Sequence, residues 1–368
     1  MSKFFGYDAN MENAIAKITT EKLSLMSGIV APDKAYLTGS GSTLTLQGGV
    51  LFAVGDSVFK TEETTLSSSH FDATVSAFEE GKDYCVYICD PTDGDDTDFT
   101  SEVYRISLNT TYPNGYSATN SRKIGGFHYG KVRAVNAQGV PISSGGTAMG
   151  SGWKTNVAAG IVPNSVWTIL NRPTCDPTGM AKIGSDFWAD IYLASDNGSN
   201  GLKSAKGVNP ITGTEGLNWY IANEKAQRVG KRLPSYAEWC QMAYGSPQGE
   251  DGNNTYAWSA TSNSARTTTG NVANAVSAKN LRDCVGNVWE WVDELMLDPT
   301  ASSWGWQTPM SSDGVGDIYM PSATALRALM CGGGWGDGAR GGSRAAYCSH
   351  YPWYVGSTDG VRCVCDSL

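Results

Sequence analysis

The run Gly230-Lys231-Arg232-Leu233-Pro234-Ser235-Tyr236-Ala237-Glu238-Trp239 reads as the end of one helix and the start of another. Gly230 followed by Lys231 and Arg232 is a stop signal, because glycine accepts the left-handed backbone that closes a helix and cations suit a helix C-terminus. Upstream, Leu217, Tyr220, Ile221, Glu224 and Val229 recur at spacings of three and four, which predicts a helix over 215–229 with a mostly apolar face. Downstream, the Ser235 hydroxyl can accept the N–H of Glu238 while the Glu238 carboxylate accepts the N–H of Ser235. That reciprocal cap opens the second helix.

Three further motifs follow in order. In Asp283-Cys284-Val285-Gly286-Asn287-Val288-Trp289-Glu290-Trp291-Val292, Trp289 and Trp291 alternate onto one strand face, and Gly286 permits a bulge or a close backbone approach. Glu290 falls on the opposite face with no partner acid or base at a defined spacing, so it reads as structural. Cys331-Gly332-Gly333-Gly334-Trp335 and Gly360-Val361-Arg362-Cys363 complete the set. Arg344 and Arg362 read as ion-pair or carbonyl-binding arginines.

Working outward, short runs such as Leu44-Thr45-Leu46, Val50-Leu51-Phe52-Ala53-Val54 and Tyr84-Cys85-Val86-Tyr87-Ile88-Cys89 are separated by Gly, Asp, Asn and Ser clusters, the pattern of a β-sandwich-like unit. The expected organisation is a small N-terminal assembly module at 1–45, with a modest amphipathic stretch through Met11, Ile15, Ile18 and Leu23. A β-rich domain at 46–134 and a larger domain at 135–368 follow. The Ser-, Thr-, Asn- and Gly-rich stretch 245–279 reads as a long surface loop. The acidic run Asp90-Pro91-Thr92-Asp93-Gly94-Asp95-Asp96-Thr97-Asp98 lacks the closing Glu of a calcium loop and reads as a solvated hairpin turn. With 17% charged residues, 44 glycines and 12 tryptophans, the class is strand-rich α+β.

A formal net charge of −9 and no Lys/Arg run interleaved with aromatics argue against nucleic acid as a partner. No stretch approaches about 20 apolar residues, and the N-terminus lacks the apolar core of a signal peptide, so cytoplasmic synthesis without membrane insertion is expected. Nine cysteines, an odd number at no small-framework spacing, read as mostly free and buried thiols. Cys363-x-Cys365 has no second pair to complete a metal site and only three histidines accompany it, so neither metal nor cofactor is expected.

The four ordered motifs resemble the signature of formylglycine-generating-enzyme-like domains, a branch of the C-type lectin fold. Those enzymes are copper-dependent oxidases that use a cysteine pair just after the third motif. Here the matching stretch is Gly336-Asp337-Gly338-Ala339-Arg340-Gly341-Gly342-Ser343-Arg344. It contains neither cysteine, and Cys331 and Cys348 lie outside the matching positions, so a non-enzyme is expected.

The glycine-rich segment Gly332-Gly333-Gly334-Trp335 through Ser343-Arg344, with Tyr351-Pro352-Trp353 and the closing Gly360-Val361-Arg362-Cys363-Val364-Cys365-Asp366-Ser367-Leu368, is similar to the C-terminus of variable proteins of diversity-generating retroelements, which include phage tropism determinants. Ser121-Arg122-Lys123-Ile124-Gly125-Gly126-Phe127-His128-Tyr129-Gly130 and Phe187-Trp188-Ala189-Asp190-Ile191-Tyr192-Leu193 extend the likeness. In that family adenines of AAC and AAT codons are rewritten, and the resulting codons cannot specify Lys, Glu, Gln, Met or Trp. Residues 332–368 contain no Lys, Glu, Gln, Met or Asn, as diversification away from asparagine would leave them.

The resemblance implies a ligand-binding surface made of Gly336, Asp337, Arg340, Tyr347, Ser349, His350, Tyr354, Ser357, Thr358 and Asp359. Trp289, Trp291, Trp335, Arg344, Trp353 and Arg362 would form its scaffold. It further implies a receptor binder of a phage tail or cell surface, assembled as a homotrimer and engaging a host-surface protein or glycan. The alternatives are the oxidase and a structural tail subunit without a variable site.

Overall fold

A computed structural model describes residues 28–55, 57–90, 103–297, 304–307, 318–321 and 326–368. The amphipathic N-terminal stretch and the acidic turn at 91–98 lie outside the described residues. The chain divides into two units, Met1–Gly130 with Ala159–Arg172 and Leu368, and Lys131–Ala158 with Pro173–Ser367.

The first unit is built from strands. Leu37–Ser40, Thr43–Leu46 and Thr64–Leu66 form one antiparallel sheet, and Ile29–Val30, Leu51–Val54 and Ser57–Lys60 form another. A third sheet is built on Ser121–Arg133, paired with Lys82–Cys89, which in turn pairs with Val103–Ser107. Alternation places Leu44 and Leu46 in the core. From Tyr84 to Cys89 the strand is buried continuously, as expected of a strand covered on both faces. Gly125 is required where it stands, because a Cβ there would come within 2.3 Å of the Trp167 carbonyl oxygen. Ile29–Val30 pairs with Leu51–Val54, so a boundary near residue 45 would cut a sheet.

The second unit is also β-rich, with two short α-helices, Trp219–Gln227 and Tyr236–Ala243. The class α+β describes it only loosely, because strands far outnumber these two short helices among the described residues. The helix predicted over 215–229 is shorter for a local reason. Thr212 and Glu215 close a single 3-10 turn with their own capping box, and Gly216 leaves it at φ 81°. Asn218 then caps the true helix by accepting the N–H of Ile221 at 3.0 Å. Ala222 and Ala226 face the core, whereas Tyr220 is exposed.

The opening motif has a physical role at nearly every position. Gly230 is left-handed at φ 71°. Lys231 reaches a fully buried Asp190 at 2.6 Å, and Arg232 grips both oxygens of Glu238 at 2.8 and 2.6 Å. Ser235 and Glu238 form the expected box. Trp239, at the second helix, is completely buried with Met242, Leu281 and Val292.

The stretch 245–279 is not a surface loop, since Ala257, Ser259, Ala260, Thr269, Val272, Ala275 and Val276 are buried. Small side chains let this irregular backbone pack, and arginines satisfy its carbonyls. Arg133 donates to Asn274 and Val276, and Arg282 donates to Gly270 and Val272.

Candidate ligand-binding surface

Gly342–Tyr347, Leu326–Gly332, Trp289–Leu297 and Asp359–Val361 lie side by side in that order, the last pair parallel. The register aligns Tyr347, Met330, Trp291 and Val361 in one row. Trp291, Met330 and Val361 are buried in the core, with Trp289 packed against them. Tyr347 lies at the edge of the row, 39% exposed.

Arg362 anchors this sheet from within. Its guanidinium donates to both oxygens of the buried Glu290, at 2.9 and 3.1 Å, and to the carbonyls of Asp190, Ile191 and Arg282. Burial raises the pKa of the Glu290 carboxyl, with Arg362 and the Trp239 indole opposing that shift. Glu290 is therefore a structural partner, with every acceptor engaged by the scaffold.

Outside the sheet runs a chain of rings. Tyr347 lies 5.4 Å from Trp289 and meets the edge of His350 at 5.2 Å, and His350 lies against Tyr354 at 4.0 Å. Tyr354 is 43% exposed, so rings that begin on a half-buried tryptophan packed against the core end in solvent. Thus Tyr347, His350 and Tyr354 are brought together, and Ser349 and Ser357 are exposed on the same connections.

Asp359 departs from the expected surface: it is fully buried. Its Oδ2 lies 2.9 Å from His350 Nδ1, and its Oδ1 accepts the Thr358 hydroxyl at 2.7 Å. It orients the surface from beneath, because the parallel pairing with Trp289 draws it into the sheet.

Gly336, Asp337 and Arg340 belong to a second cluster, on the turn preceding Gly342–Tyr347. Gly336 and Arg340 are exposed, while Asp337 accepts the N–H of Gly334 at 2.6 Å. This turn is held by the 245–279 segment: Asn263 donates to the Trp335 carbonyl at 2.8 Å and Ala339 donates to Asp251 at 3.0 Å.

Two scaffold assignments are corrected. Arg344 is exposed, because its position on Gly342–Tyr347 points away from the core. Trp353 is 57% exposed, its ring stacked on Tyr351 at 5.1 Å, and the Arg327 guanidinium lies 4.0 Å from the Tyr351 ring centre. Trp335 is half-buried. Sequence reasoning omitted Tyr351, Arg327 and the exposed Val355. The i, i+2 spacing of Tyr351 and Trp353 was a readable signal, but Arg327 lies upstream of the Gly-rich segment and gave none.

All nine cysteines are free. Burial pushes the Cys284 thiol up to about 12 and the Cys331 thiol higher still, so both stay protonated and unreactive. Among the described residues no three His, Cys, Asp or Glu side chains cluster as a metal site, and no helix is long and apolar enough to cross a membrane.

Comparison with known proteins gives three results. Residues 34–154 match the family model for the Mtd second domain, and residues 194–367 match that for the sulfatase-modifying factor enzyme 1-like domain. The tail fiber receptor-binding protein of Bordetella phage BPP-1 is 30% identical over 361 residues, 91% of this chain and 82% of that protein. Solved structures of the Major Tropism Determinant M1 and U1 variants are each 26% identical, with TM-scores of 0.68 and 0.69, and cover 92% of this chain and 85% and 86% of theirs.

Proposed function

The chain belongs to the tropism-determinant family of retroelement variable proteins, and on that premise we propose that it is a phage tail receptor-binding protein whose 332–368 segment carries the host-recognition surface. The observation that carries this reading is the outward chain of rings from Trp289 through Tyr347 and His350 to Tyr354, resting on a packed and ion-paired sheet. Large aromatic side chains on a rigid base give contact area at low entropic cost, and their chemistry can be exchanged without disturbing the core beneath.

The similarity of 91% of the chain to a tail fiber receptor-binding protein supports the virion tail as its location. A homotrimer fits the same reading, since several weak sites on one particle bind tightly through effective concentration. The ligand is a host-surface protein or glycan. The oxidase reading has no support at the site, where the cysteine pair is missing, Cys331 is buried and Cys348 is half-buried outside the matching positions.

The test is capture of bacteria. Beads coated with the full chain should retain a subset of host strains, and replacing Tyr347 and Tyr354 by alanine should release them. Equal retention of all strains, or retention insensitive to those replacements, would contradict the proposal.

A further inference from the structure

Cys175 and Cys365 lie next to each other at the point where the chain end meets the start of the second unit's main segment. Pro173 pairs antiparallel with Ser367, and the Thr174 N–H donates to the Asp366 carbonyl at 2.9 Å. Carrying that register on by one position sets Cys175 opposite Cys365 as a pair without mutual backbone hydrogen bonds. Such pairs have Cα atoms about 4.5 Å apart, inside the roughly 4.4–6.8 Å that a disulfide spans.

The sulfur contacts agree with the register. Cys365 Sγ accepts the Cys175 N–H at 3.1 Å and lies 2.9 Å from the Thr174 hydroxyl, while Cys175 Sγ lies 3.2 Å from Met180 Sδ. We infer that Cys175 and Cys365 are a disulfide-forming pair that fastens the C-terminal strand once the protein leaves a reducing compartment.

The two thiols are unequal in a way that favours the reaction. The hydrogen bond from the Cys175 thiol, followed by those from Thr174 and the Cys175 N–H, outweighs burial and brings Cys365 down to about 6. That same bond, with burial, raises Cys175. Cys365 is thus the thiolate that attacks first, and Cys175 is the resolving thiol.

Both sulfurs are buried, but exposed Thr174, Asp176 and Asp366 flank them, so local opening of this short strand pair admits a small oxidant. With oxidised glutathione, the Cys365 thiolate attacks one sulfur and expels a glutathione thiolate, leaving a mixed disulfide. Cys175 then loses its proton, attacks the Cys365 sulfur and expels the second glutathione. The two protein thiols are oxidised and one glutathione disulfide is reduced to two thiols.

The closed ring runs from residue 175 to residue 365, taking in both helices, the four-stranded sheet and nearly all of the 332–368 segment. The inference does not depend on the receptor reading. For its test, the full chain is incubated with oxidised glutathione and digested without reduction. The expected result is a 175–365 linked peptide lighter by two hydrogens, and a melting temperature roughly 5–15 °C above that of the reduced chain. Cys175→Ala and Cys365→Ala chains, each compared with its own reduced form, should show no such rise. Quantitative alkylation of both thiols after oxidation and unfolding, linkage to another cysteine, or an unchanged melting temperature would overturn the inference.

Discussion

Asp359, buried beneath the surface, holds His350 Nδ1 at 2.9 Å, while the other face of the interaction network is open: His350 stacks at 4.0 Å on the exposed Tyr354. A carboxylate inside the sheet therefore sets the ring orientation at the outer surface. It was expected among the contact residues and acts one layer below them.

Asp359→Asn keeps the shape but replaces a charge-assisted hydrogen bond with a neutral one. A difference of about 1 kcal/mol corresponds to roughly a fivefold loss of affinity. Titration of the variant against host-cell envelopes measures it. Unchanged affinity would remove Asp359 from the positioning role.

Glu290→Gln leaves the Arg362 guanidinium buried without its counter-charge. Removing one partner of a buried ion pair costs about 3–5 kcal/mol. The urea midpoint should fall with little change in slope. A variant as stable as the parent would mean that the backbone carbonyls alone satisfy Arg362.

Two partly exposed carboxylates give the acid limb of stability. Burial would raise Glu215 and Glu238, but Arg266 and Thr212 outweigh it at Glu215, and Arg232 and Ser235 do so at Glu238, so both lie below the usual range. A lowered folded-state value means that stability is present above the unfolded value of about 4.3 and is lost as the pH falls through the folded value. The stability gap between the parent and a Glu215→Gln, Glu238→Gln chain should therefore close on acidification below about pH 4. A gap that widened there would reverse the sign.

The coding triplets for Gly336, Asp337, Arg340, Tyr347, Ser349, His350, Tyr354, Ser357, Thr358 and Asp359 should all end in C or T, as rewritten asparagine codons do. Sequencing of the gene beside its template copy checks this. Triplets such as GGA, CGG or TCA at several positions would exclude diversification there. Tryptophan has no such codon, so on the proposed reading the exposed ring of Trp353 should stay constant while its neighbours vary.

The fold was legible because its decisive residues act locally. Ser235 and Glu238 cap a helix three residues apart, Gly230 ends one, and Trp289 and Trp291 alternate on a strand. The partners of Lys231 and Arg362, namely Asp190 and Glu290, are 41 and 72 residues distant, and no periodicity announces a contact across such a span. The binding surface was read from a resemblance and from composition, which find a segment but cannot tell its buried residues from its exposed ones. Asp359 and Trp353 were consequently interchanged, since only the strand pairing at Asp359 and the turn that carries Trp353 decide that the first is buried and the second exposed. The helix over 215–229 was overextended because apolar spacing alone does not show that Gly216 ends a single 3-10 turn and that Asn218 caps the helix proper.

The account rests on a separation of surface from scaffold, and paired binding and melting measurements on two variants test it most directly. In a Tyr347→Ala, Tyr354→Ala chain, the loss of two exposed aromatic anchors at about 2 kcal/mol each should weaken binding to host envelopes by well over tenfold and leave the melting temperature within a few degrees. In a Trp291→Ala chain, truncation of a fully buried ring should cost about 3–5 kcal/mol of folding free energy. Unfolding of the tyrosine variant, or full binding by it, would contradict the assignment of this face as the receptor-binding surface.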